Sequence, residues 1–272
     1  MRSRSLSGGR HELGQNFLTD PATLSRIADL AGATEGPILE IGAGDGALTS
    51  RLAQLGRDLL AVEIDERRVE RLGRRLPSVV VRHGDALRIP YDRPVVVGNV
   101  PFHLTTPILR RLLASATWRE AILLTQWEVA RKRAGVGGGT MMTAQAAPWF
   151  DFALQGRVPA CAFSPRPSVD AGILSIRRRA APLVSPADRR FYEQFVRAVF
   201  TGTGHGIDQI LASVAGMPRS SRRDLLDEAG VPPTALPRDL KPGQWAAVWA
   251  AVRGAWTRRA GGSRAGGTSS KR

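Results

Sequence analysis

The stretch that decides the fold is PILEIGAGDGALTSRLAQLG, residues 37–56. It begins with a short apolar run, passes through three glycines, and continues with Leu48, Leu52 and Leu55, which share one face of a helix. A strand that runs through glycines into a helix usually presents backbone N–H groups to a ligand, although a purely structural turn can have the same pattern. The stretch predicts the first strand, loop and helix of a ligand-binding α/β domain.

Six further apolar runs follow up to about residue 179, with helical patterns between most of them. They are DLLAVEID, SVVVRHGD, RPVVVGNV, EAILLTQ, FDFALQGRV and GILSIRR. Strands that alternate with helices form a mostly parallel sheet covered on both faces. The last two runs have no convincing helix between them, so we expect them to pair antiparallel through SPRPS, residues 164–168. The sequence therefore predicts a Rossmann-like, mostly parallel seven-stranded sheet with an antiparallel last strand.

From about residue 184 the strand pattern ends and helical patterns follow, separated by glycines and prolines. Three helices are indicated by Phe191, Phe195 and Val199, by Leu225, Leu226 and Ala229, and by Trp245, Val248, Trp249 and Val252. We expect an α/β domain over residues 11–180 and a small all-helical domain over 184–256. A flexible basic arm over 1–10 and a basic, disordered tail over 257–272 complete the predicted organisation.

The charge and the cysteine count limit the classes of partner. The 272 residues include 39 basic and 24 acidic side chains, for a formal net charge of +15, which favours a nucleic acid over a membrane surface as partner. The sequence has no apolar run of about 18 residues and no secretion signal. One cysteine, Cys161, fits a reducing compartment, and four histidines suggest no zinc site. We expect a cytoplasmic protein without a bound metal.

The glycine loop favours a cationic cofactor over a dinucleotide. From Gly42 the pattern is G-x-G-x-G, and Ala47 stands where the nicotinamide fingerprint has its third glycine. Glu40 precedes the loop, and a carboxylate there would repel a pyrophosphate but attract positive charge. S-adenosylmethionine carries an ammonium and a sulfonium and no phosphate. The loop therefore favours S-adenosylmethionine, and a nicotinamide oxidoreductase is a distant alternative.

Two further carboxylates follow neighbouring strands. Glu63 ends the second strand about 20 residues after the loop, where it can accept hydrogen bonds from ribose hydroxyls. Asp85 follows the third strand and could accept from an adenine amino group. Ligands in such sheets bind at the carboxyl ends of the strands, so we expect both carboxylates at one edge.

The fourth strand is followed by Asn99, Val100, Pro101 and Phe102. A proline-bearing turn with an aromatic plug is one interpretation. The other is an acceptor site for a purine amine, whose lone pair is delocalised into the ring. Acceptors such as the Asn99 side-chain oxygen and the Val100 carbonyl would favour a tetrahedral nitrogen, and Phe102 would stack on the base.

Seven motifs occur in the order and spacing of the rRNA adenine N6-dimethyltransferases, which this sequence resembles from about residue 10 to residue 180. The motifs are LGQNFL (13–18), LEIGAGDGALT (39–49), VEID (62–65), GDAL (84–87), NVPF (99–102), QWEVARK (126–132) and FSPRPSVD (163–170). The resemblance implies a methyltransferase domain, S-adenosylmethionine as cofactor and an rRNA adenine as substrate.

The resemblance also implies roles for individual residues. The cofactor would be bound by Asn16, Leu18, Gly42, Gly44, Glu63, Ile64, Asp85, Ala86 and Asn99. Among these, Asn16 and Leu18 would close over the cofactor. The catalytic set would be Asn99, Val100, Pro101, Phe102 and Phe163. Phe163 would cover the target base opposite Phe102, and ordinary core packing is the alternative role for its ring.

The family has two branches, one acting on 23S rRNA to give erythromycin resistance and one acting on small-subunit rRNA. His103 after NVPF, the arginine-rich composition and the basic tail favour the 23S branch. The family usually has basic residues where this chain has TGTGHG, residues 201–206. We therefore expect either fewer RNA contacts by the second domain or contacts by His205 and neighbouring arginines instead. We expect His205 to be a loop residue. A non-catalytic RNA-binding or assembly factor on this fold is a third alternative.

RNA would be held by basic side chains along the chain. The candidates are Arg10, Arg131, Lys132, Arg133, Arg177, Arg178 and Arg179. We expect a monomer that acts on nascent or protein-free 23S rRNA. The sequence leaves open whether the enzyme adds one methyl group or two, and which drugs and RNA elements are involved.

Overall fold

The computed structural model describes residues 16–262, with side chains up to residue 258, and its described part forms two compact units. The first comprises residues 16–131 and 153–177, and the second comprises 132–152 and 178–262. The strands are β1 (Phe17–Leu18), β2 (Ile38–Ile41), β3 (Leu59–Glu63), β4 (Val80–His83), β5 (Val95–Asn99), β6 (Glu120–Gln126), β7 (Phe150–Val158), β8 (Phe163–Ser164) and β9 (Ala171–Arg178). The helices are α1 (Pro21–Gly32), α2 (Ala47–Ala53), α3 (Glu66–Arg75), α4 (Thr105–Ala114), α5 (Trp127–Arg133), α6 (Met141–Ala146), α7 (Arg189–Thr201), α8 (Ile207–Ala215), α9 (Arg219–Glu228) and α10 (Pro242–Gly262).

A seven-stranded sheet forms the centre of the first unit, in the order β4-β3-β2-β5-β6-β9-β7. The pairs from β4 to β6 are parallel, and β9 runs antiparallel to β6. The predicted sheet is therefore confirmed. From β2 the chain continues to β3 and β4 on one side of the sheet, and then crosses to β5 and β6 on the other side of β2. This is the switch point at which open α/β sheets bind their ligands.

The apolar runs are continuous because helices cover both faces of the sheet. Ile38, Leu39 and Val97 in the central strands are 0% exposed. Gly98 lets β5 approach β2 closely at the ligand edge, since a Cβ there would lie 2.5 Å from Cγ1 and 2.6 Å from the carbonyl oxygen of Ile41. The central strands are thereby fixed where the site is built.

A second, two-stranded sheet joins the motifs LGQNFL and FSPRPSVD. In it, β1 pairs antiparallel with β8, placing Leu18 opposite Phe163. The backbone N–H of Thr19 extends the pairing by donating to Ala162 O at 2.8 Å. Two segments that are far apart in sequence therefore become one wall of the unit.

The second unit packs around aromatic side chains. The ring of Phe195 in α7 lies 5.7 Å from the ring of Trp249 in α10, and Tyr192 lies 5.8 Å from Trp249. Trp149 joins the same cluster, 5.5 Å from Tyr192. This packing explains why residues 132–152, predicted to lie in the α/β domain, belong to the helical unit.

Three details of the predicted helical region differ from the structure. Helix α8, which the sequence reading did not identify, directly follows the TGTGHG stretch, whose His205 lies in a loop as predicted. On α7 the buried face includes Tyr192 and Val196, whereas Phe191 is half-buried. Helix α10 continues to Gly262, six residues into the segment predicted to be disordered. The predicted arm over 1–10 and the rest of the tail lie outside the described residues.

Within residues 16–262 no helix is long and apolar enough to cross a membrane. The same part of the chain contains no cluster of three or more His, Cys, Asp or Glu side chains that could hold a metal ion.

Candidate functional site

A cleft opens at the carboxyl ends of β2, β3, β4 and β5. Its lining residues come from the four strand ends and the turns after them, from the start of β1 with the residue before it, and from α4. They are Asn16, Phe17, Ile41, Gly42, Gly44, Val62, Glu63, Ile64, Gly84, Asp85, Ala86, Asn99, Val100, Pro101, Phe102, Leu104 and Ile108. The sheet has brought together the glycine loop, the two carboxylates and the NVPF turn, as the sequence predicted.

The glycine loop needs backbone conformations that other residues rarely adopt. Gly42 has a φ of 72° and Gly44 a φ of 56°, both in the left-handed region. The N–H of Gly42 donates to Val62 O at 2.9 Å, which ties the loop to β3. Without side chains at these two positions, the backbone itself forms the floor of the cleft.

The carboxylate of Glu63 is held under this loop. Its Oε2 accepts from the N–H of Gly44 at 2.7 Å, and its Oε1 accepts from the N–H groups of Ile64 at 2.9 Å and Asp65 at 3.1 Å. The residue is 3% exposed. Three backbone donors compensate for burial of the charge, so Glu63 faces the cleft as a fixed acceptor.

Asp85 forms the next acceptor along the edge. Its Oδ1 accepts from the N–H of Leu87 at 2.8 Å, which closes the turn after β4. Its Oδ2 lies 3.6 Å from Nε of Arg88. Asp85 therefore presents a carboxylate in the cleft, which is also lined by the half-exposed side chain of Ile64.

The orientation of the Asn99 amide is set by one hydrogen bond. Its Nδ2 donates to the backbone oxygen of Asn16 at 2.8 Å. Because the amide nitrogen is the donor in this bond, Oδ1 is the atom that can accept from a ligand. The N–H of Val100 donates to Leu124 O at 3.0 Å, and the N–H of Leu104 donates to Pro101 O at 2.9 Å. These bonds fix the NVPF turn, and the half-buried Phe102 lines the cleft beside it.

Glu40 lies behind the loop and not in the cleft. Side chains alternate along β2, so Ile41 lines the cleft and Glu40 points to the opposite face, where it is 1% exposed. Its Oε2 has no hydrogen-bond partner among the described residues. Burial raises the pKa of the Glu40 carboxyl to about 7, and the Glu63 carboxylate adds to the rise. Glu40 therefore does not line the cleft, and its carboxyl group is not placed to contact a cationic ligand there.

The raised pKa of Glu40 makes folding depend on pH. A folded-state pKa above the ordinary 4.5 favours the folded protein below about pH 4.5, and this stabilisation is lost as the pH rises to about 7. Glu40→Gln should remove this dependence, so its melting temperature should increase relative to wild type between pH 5 and pH 8. Glu35→Gln, at an exposed position before β2, is the control. Parallel pH profiles for wild type and Glu40→Gln would contradict the assignment.

Two predicted site residues are placed elsewhere. The side chains of Leu18 and Phe163 are each 4% exposed and belong to the core cluster of the unit. The pairing of β1 with β8 turns both inward, and Phe17 lines the cleft in place of Leu18. Phe163 has the core-packing role that was the alternative for its ring. Phe17 was not predicted from the sequence, although it lies in the motif LGQNFL, because Leu18 was expected to close over the cofactor.

Comparisons with known proteins identify the family of this chain. A model of the family described as ribosomal RNA adenine dimethylase matches residues 7–250. The chain belongs to the ribosomal RNA adenine dimethylase family. It is 50% identical to the mycinamicin-resistance protein MyrB of Micromonospora griseorubida over 93% of this chain and 82% of that one. It is 52% identical to an rRNA adenine N-6-methyltransferase of Corynebacterium diphtheriae over 75% of this chain and 82% of that one.

A solved structure gives the same assignment for this dimethylase-family chain. The 23S rRNA methyltransferase ErmE superposes with a TM-score of 0.80 at 34% identity, covering 88% of this chain and 100% of that one. The chain therefore has the fold and motifs of an rRNA adenine N6-methyltransferase. The family and the fold are those of S-adenosylmethionine-dependent enzymes.

Several of the basic residues predicted to bind RNA contact other side chains of the protein. Arg131 pairs with Glu128 at 2.9 Å, and Arg179 pairs with Asp151 at 2.6 Å. The guanidinium of Arg178 lies 4.8 Å from the Phe150 ring centroid.

Arg133 donates to Thr140, and Lys132 and Arg177 are exposed. Arg10 lies outside the described residues. Much of the predicted basic surface therefore has structural partners within the protein.

Proposed function

We propose that the protein uses S-adenosylmethionine to methylate N6 of a specific adenine in 23S rRNA near the peptidyl transferase centre, once or twice. The modification would confer resistance to macrolide, lincosamide and streptogramin B drugs. The observation that carries the reaction is the orientation of the Asn99 amide, whose nitrogen donates to Asn16 O, so that its oxygen would accept from a substrate in the cleft. The names of MyrB and ErmE support the choice of 23S rRNA and of resistance.

The residues of the cleft fit this cofactor. Glu63 would accept from the ribose hydroxyls and Asp85 from the adenine amine, and the backbone of Gly42 and Gly44 would border the methionine part. A site lined by two carboxylates and an amide suits a ligand with an ammonium and a sulfonium. When bound, S-adenosylmethionine would supply a methyl group bonded to a positively charged sulfur.

The chain's own groups would prepare the adenine amine. An N6 nitrogen donates its lone pair to the ring, so it becomes nucleophilic only as it turns pyramidal. Oδ1 of Asn99 and the carbonyl oxygen of Val100 would accept its two hydrogens and stabilise that geometry. The ring of Phe102 would stack on the extruded base. The methylated nitrogen is positively charged and acidic and releases its proton to water, so no protein base is needed.

Labelled methyl transfer to isolated RNA tests the substrate. We expect the purified protein to label protein-free 23S rRNA from radioactive S-adenosylmethionine and to leave assembling small subunits unlabelled. Labelling of the small subunit alone would support the small-subunit branch. Absence of any transfer, with RNA binding retained, would support the non-catalytic alternative.

The helical unit contains a cavity that suits RNA phosphates. It has a volume of about 510 Å³, and its lining includes Arg133, Arg179, Arg238 and Lys241, of which the last two were not predicted from the sequence. Asp151 and Asp239 also line it, and Arg179 pairs with Asp151 at 2.6 Å, whereas Nε of Arg238 lies 3.9 Å from Oδ1 of Asp239. Arg238 and Lys241 are therefore the better candidates for phosphate contact. Arg238 is 63% exposed.

Removing these two cations should weaken RNA binding in a salt-dependent way. We expect Arg238→Ala/Lys241→Ala to lower the slope of log Kd against log salt by about 1.5, because each lost phosphate contact removes about 0.7 to 0.9 from the slope. Arg219→Ala/Arg223→Ala, on exposed positions of α9, removes the same charge and should change the slope less. Filter binding to a 23S rRNA fragment at several salt concentrations measures both. Equal slopes for the two double variants would contradict this placement.

A further inference from the structure

The ring of Phe17 lies in a stack of three layers. The guanidinium carbon of Arg68 is 4.4 Å from the ring centroid. On the glycine loop, a Cβ at Gly44 would lie 3.1 Å from Cδ1 and Cε1 of the same ring. Phe17 therefore occupies the space next to Gly44 that a side chain there would fill, and Arg68 lies against the ring.

Arg68 is itself held by two carboxylates. Its Nη1 lies 2.5 Å from Oδ1 of Asp45, and its Nε lies 3.4 Å from Oδ2 of Asp65. The Arg68 side chain is 20% exposed, whereas that of Arg71, which also contacts Oδ1 of Asp45 at 2.5 Å, is 64% exposed. Arg68 therefore joins the glycine loop, the turn after β3 and the Phe17 ring.

This pairing resolves an electrostatic difficulty. An unpaired guanidinium beside the cleft would repel a cationic cofactor. Two carboxylates within 3.4 Å compensate its charge. A planar cation is favourable over an aromatic face, and the attraction is greater when both groups are partly shielded from water.

We infer that Arg68 is a positioning residue that holds the Phe17 ring as a wall of the cofactor cleft, and so raises the affinity for S-adenosylmethionine without taking part in methyl transfer. This inference rests on the proposed function, because it assumes that the cofactor occupies the cleft. Beyond Arg68 and Gly44, the ring is located by β1, which has two residues and pairs antiparallel with β8. Loss of the guanidinium should therefore free the ring while the strand pairing remains.

Calorimetric titration of S-adenosylmethionine into four purified full-length proteins tests this inference. We expect Arg68→Ala to raise the cofactor Kd about fivefold, the effect of a partly buried cation–π contact. Its cofactor KM should rise equally, while its kcat and its KM for RNA should stay within twofold of wild type. Arg68→Lys keeps a cation near the ring and Asp45, and should recover most of the affinity. Arg71→Ala loses a contact with the same Asp45 oxygen but none with Phe17, and should bind like wild type.

Three other results would contradict either this inference or the proposed function. Unchanged cofactor affinity in Arg68→Ala would overturn the inference and leave the proposed function intact. An equal loss in Arg71→Ala would overturn it too, because the effect would then come from the ion pairs with Asp45. Failure of the wild-type protein to bind the cofactor would overturn the proposed function itself. If Arg68→Ala does not fold, Arg68→Gln gives the same comparison with a side chain of greater length.

Discussion

Asn99→Ala should lower the rate of methyl transfer about a thousandfold at saturating cofactor and RNA. The substitution removes the amide oxygen that would accept from the adenine N6 while the amine becomes pyramidal. Removing one preorganised hydrogen-bonding group from such a site typically costs a factor of 10² to 10³ in kcat. The upper value applies here because the acceptor acts on the reacting nitrogen itself. Single-turnover transfer of a labelled methyl group measures the effect.

Two comparisons separate this result from a folding defect. Asn99→Ala should bind the rRNA fragment with an affinity close to that of wild type, because the RNA is held mainly through its phosphates. His103→Ala, in the same turn but exposed, should retain activity. Loss of the bond from Asn99 to Asn16 can weaken cofactor binding, so transfer is compared at saturating cofactor. Turnover within tenfold of wild type in Asn99→Ala would refute the assigned role.

Glu63→Ala should raise the Kd for S-adenosylmethionine about a hundredfold. A hydrogen bond to a charged group contributes about 1.5 kcal/mol or more, and the two ribose hydroxyls would each donate one to this carboxylate. About 3 kcal/mol corresponds to a factor of roughly 100 in affinity. The substitution also leaves the N–H groups of Gly44, Ile64 and Asp65 without their acceptor, so the melting temperature should fall as well.

Calorimetry at a temperature well below the melting point of the variant measures this loss. Glu66→Gln is the matched control, since it lies three residues further on and does not line the cleft. NAD should bind neither wild type nor variant, because Ala47 stands where the nicotinamide fingerprint has its third glycine. If Glu63→Ala binds the cofactor with wild-type affinity, Glu63 does not contact the cofactor.

The parallel sheet and its ligand edge could be predicted from the sequence because the signals are local. The buried strands β3 and β5 are continuous apolar runs that end at Glu63 and Asn99, and Asp85 follows the valines of the exposed edge strand β4. Parallel strands place their carboxyl ends at one edge of the sheet. That these three residues lie close together can therefore be predicted without information on long-range contacts. The glycine loop could be assigned for the same reason, since its special conformations are encoded by Gly42 and Gly44.

Features that depend on distant contacts could not be predicted. The inward orientation of Leu18 and Phe163 follows from the pairing of β1 with β8, which are separated by most of the unit. The position of Glu40 depends on which face of β2 borders the cleft. Residues 132–152 belong to the helical unit because Trp149 packs on Tyr192, a contact that no local pattern indicates.

Mass-spectrometric mapping of rRNA from cells that express the protein is the most direct test of the central claim. The account predicts one or two methyl groups on the N6 of a single adenine of 23S rRNA with the wild-type protein, and none on that adenine with Asn99→Ala. An unmodified 23S rRNA in cells that contain the folded wild-type protein, or the same modification with Asn99→Ala, would contradict it.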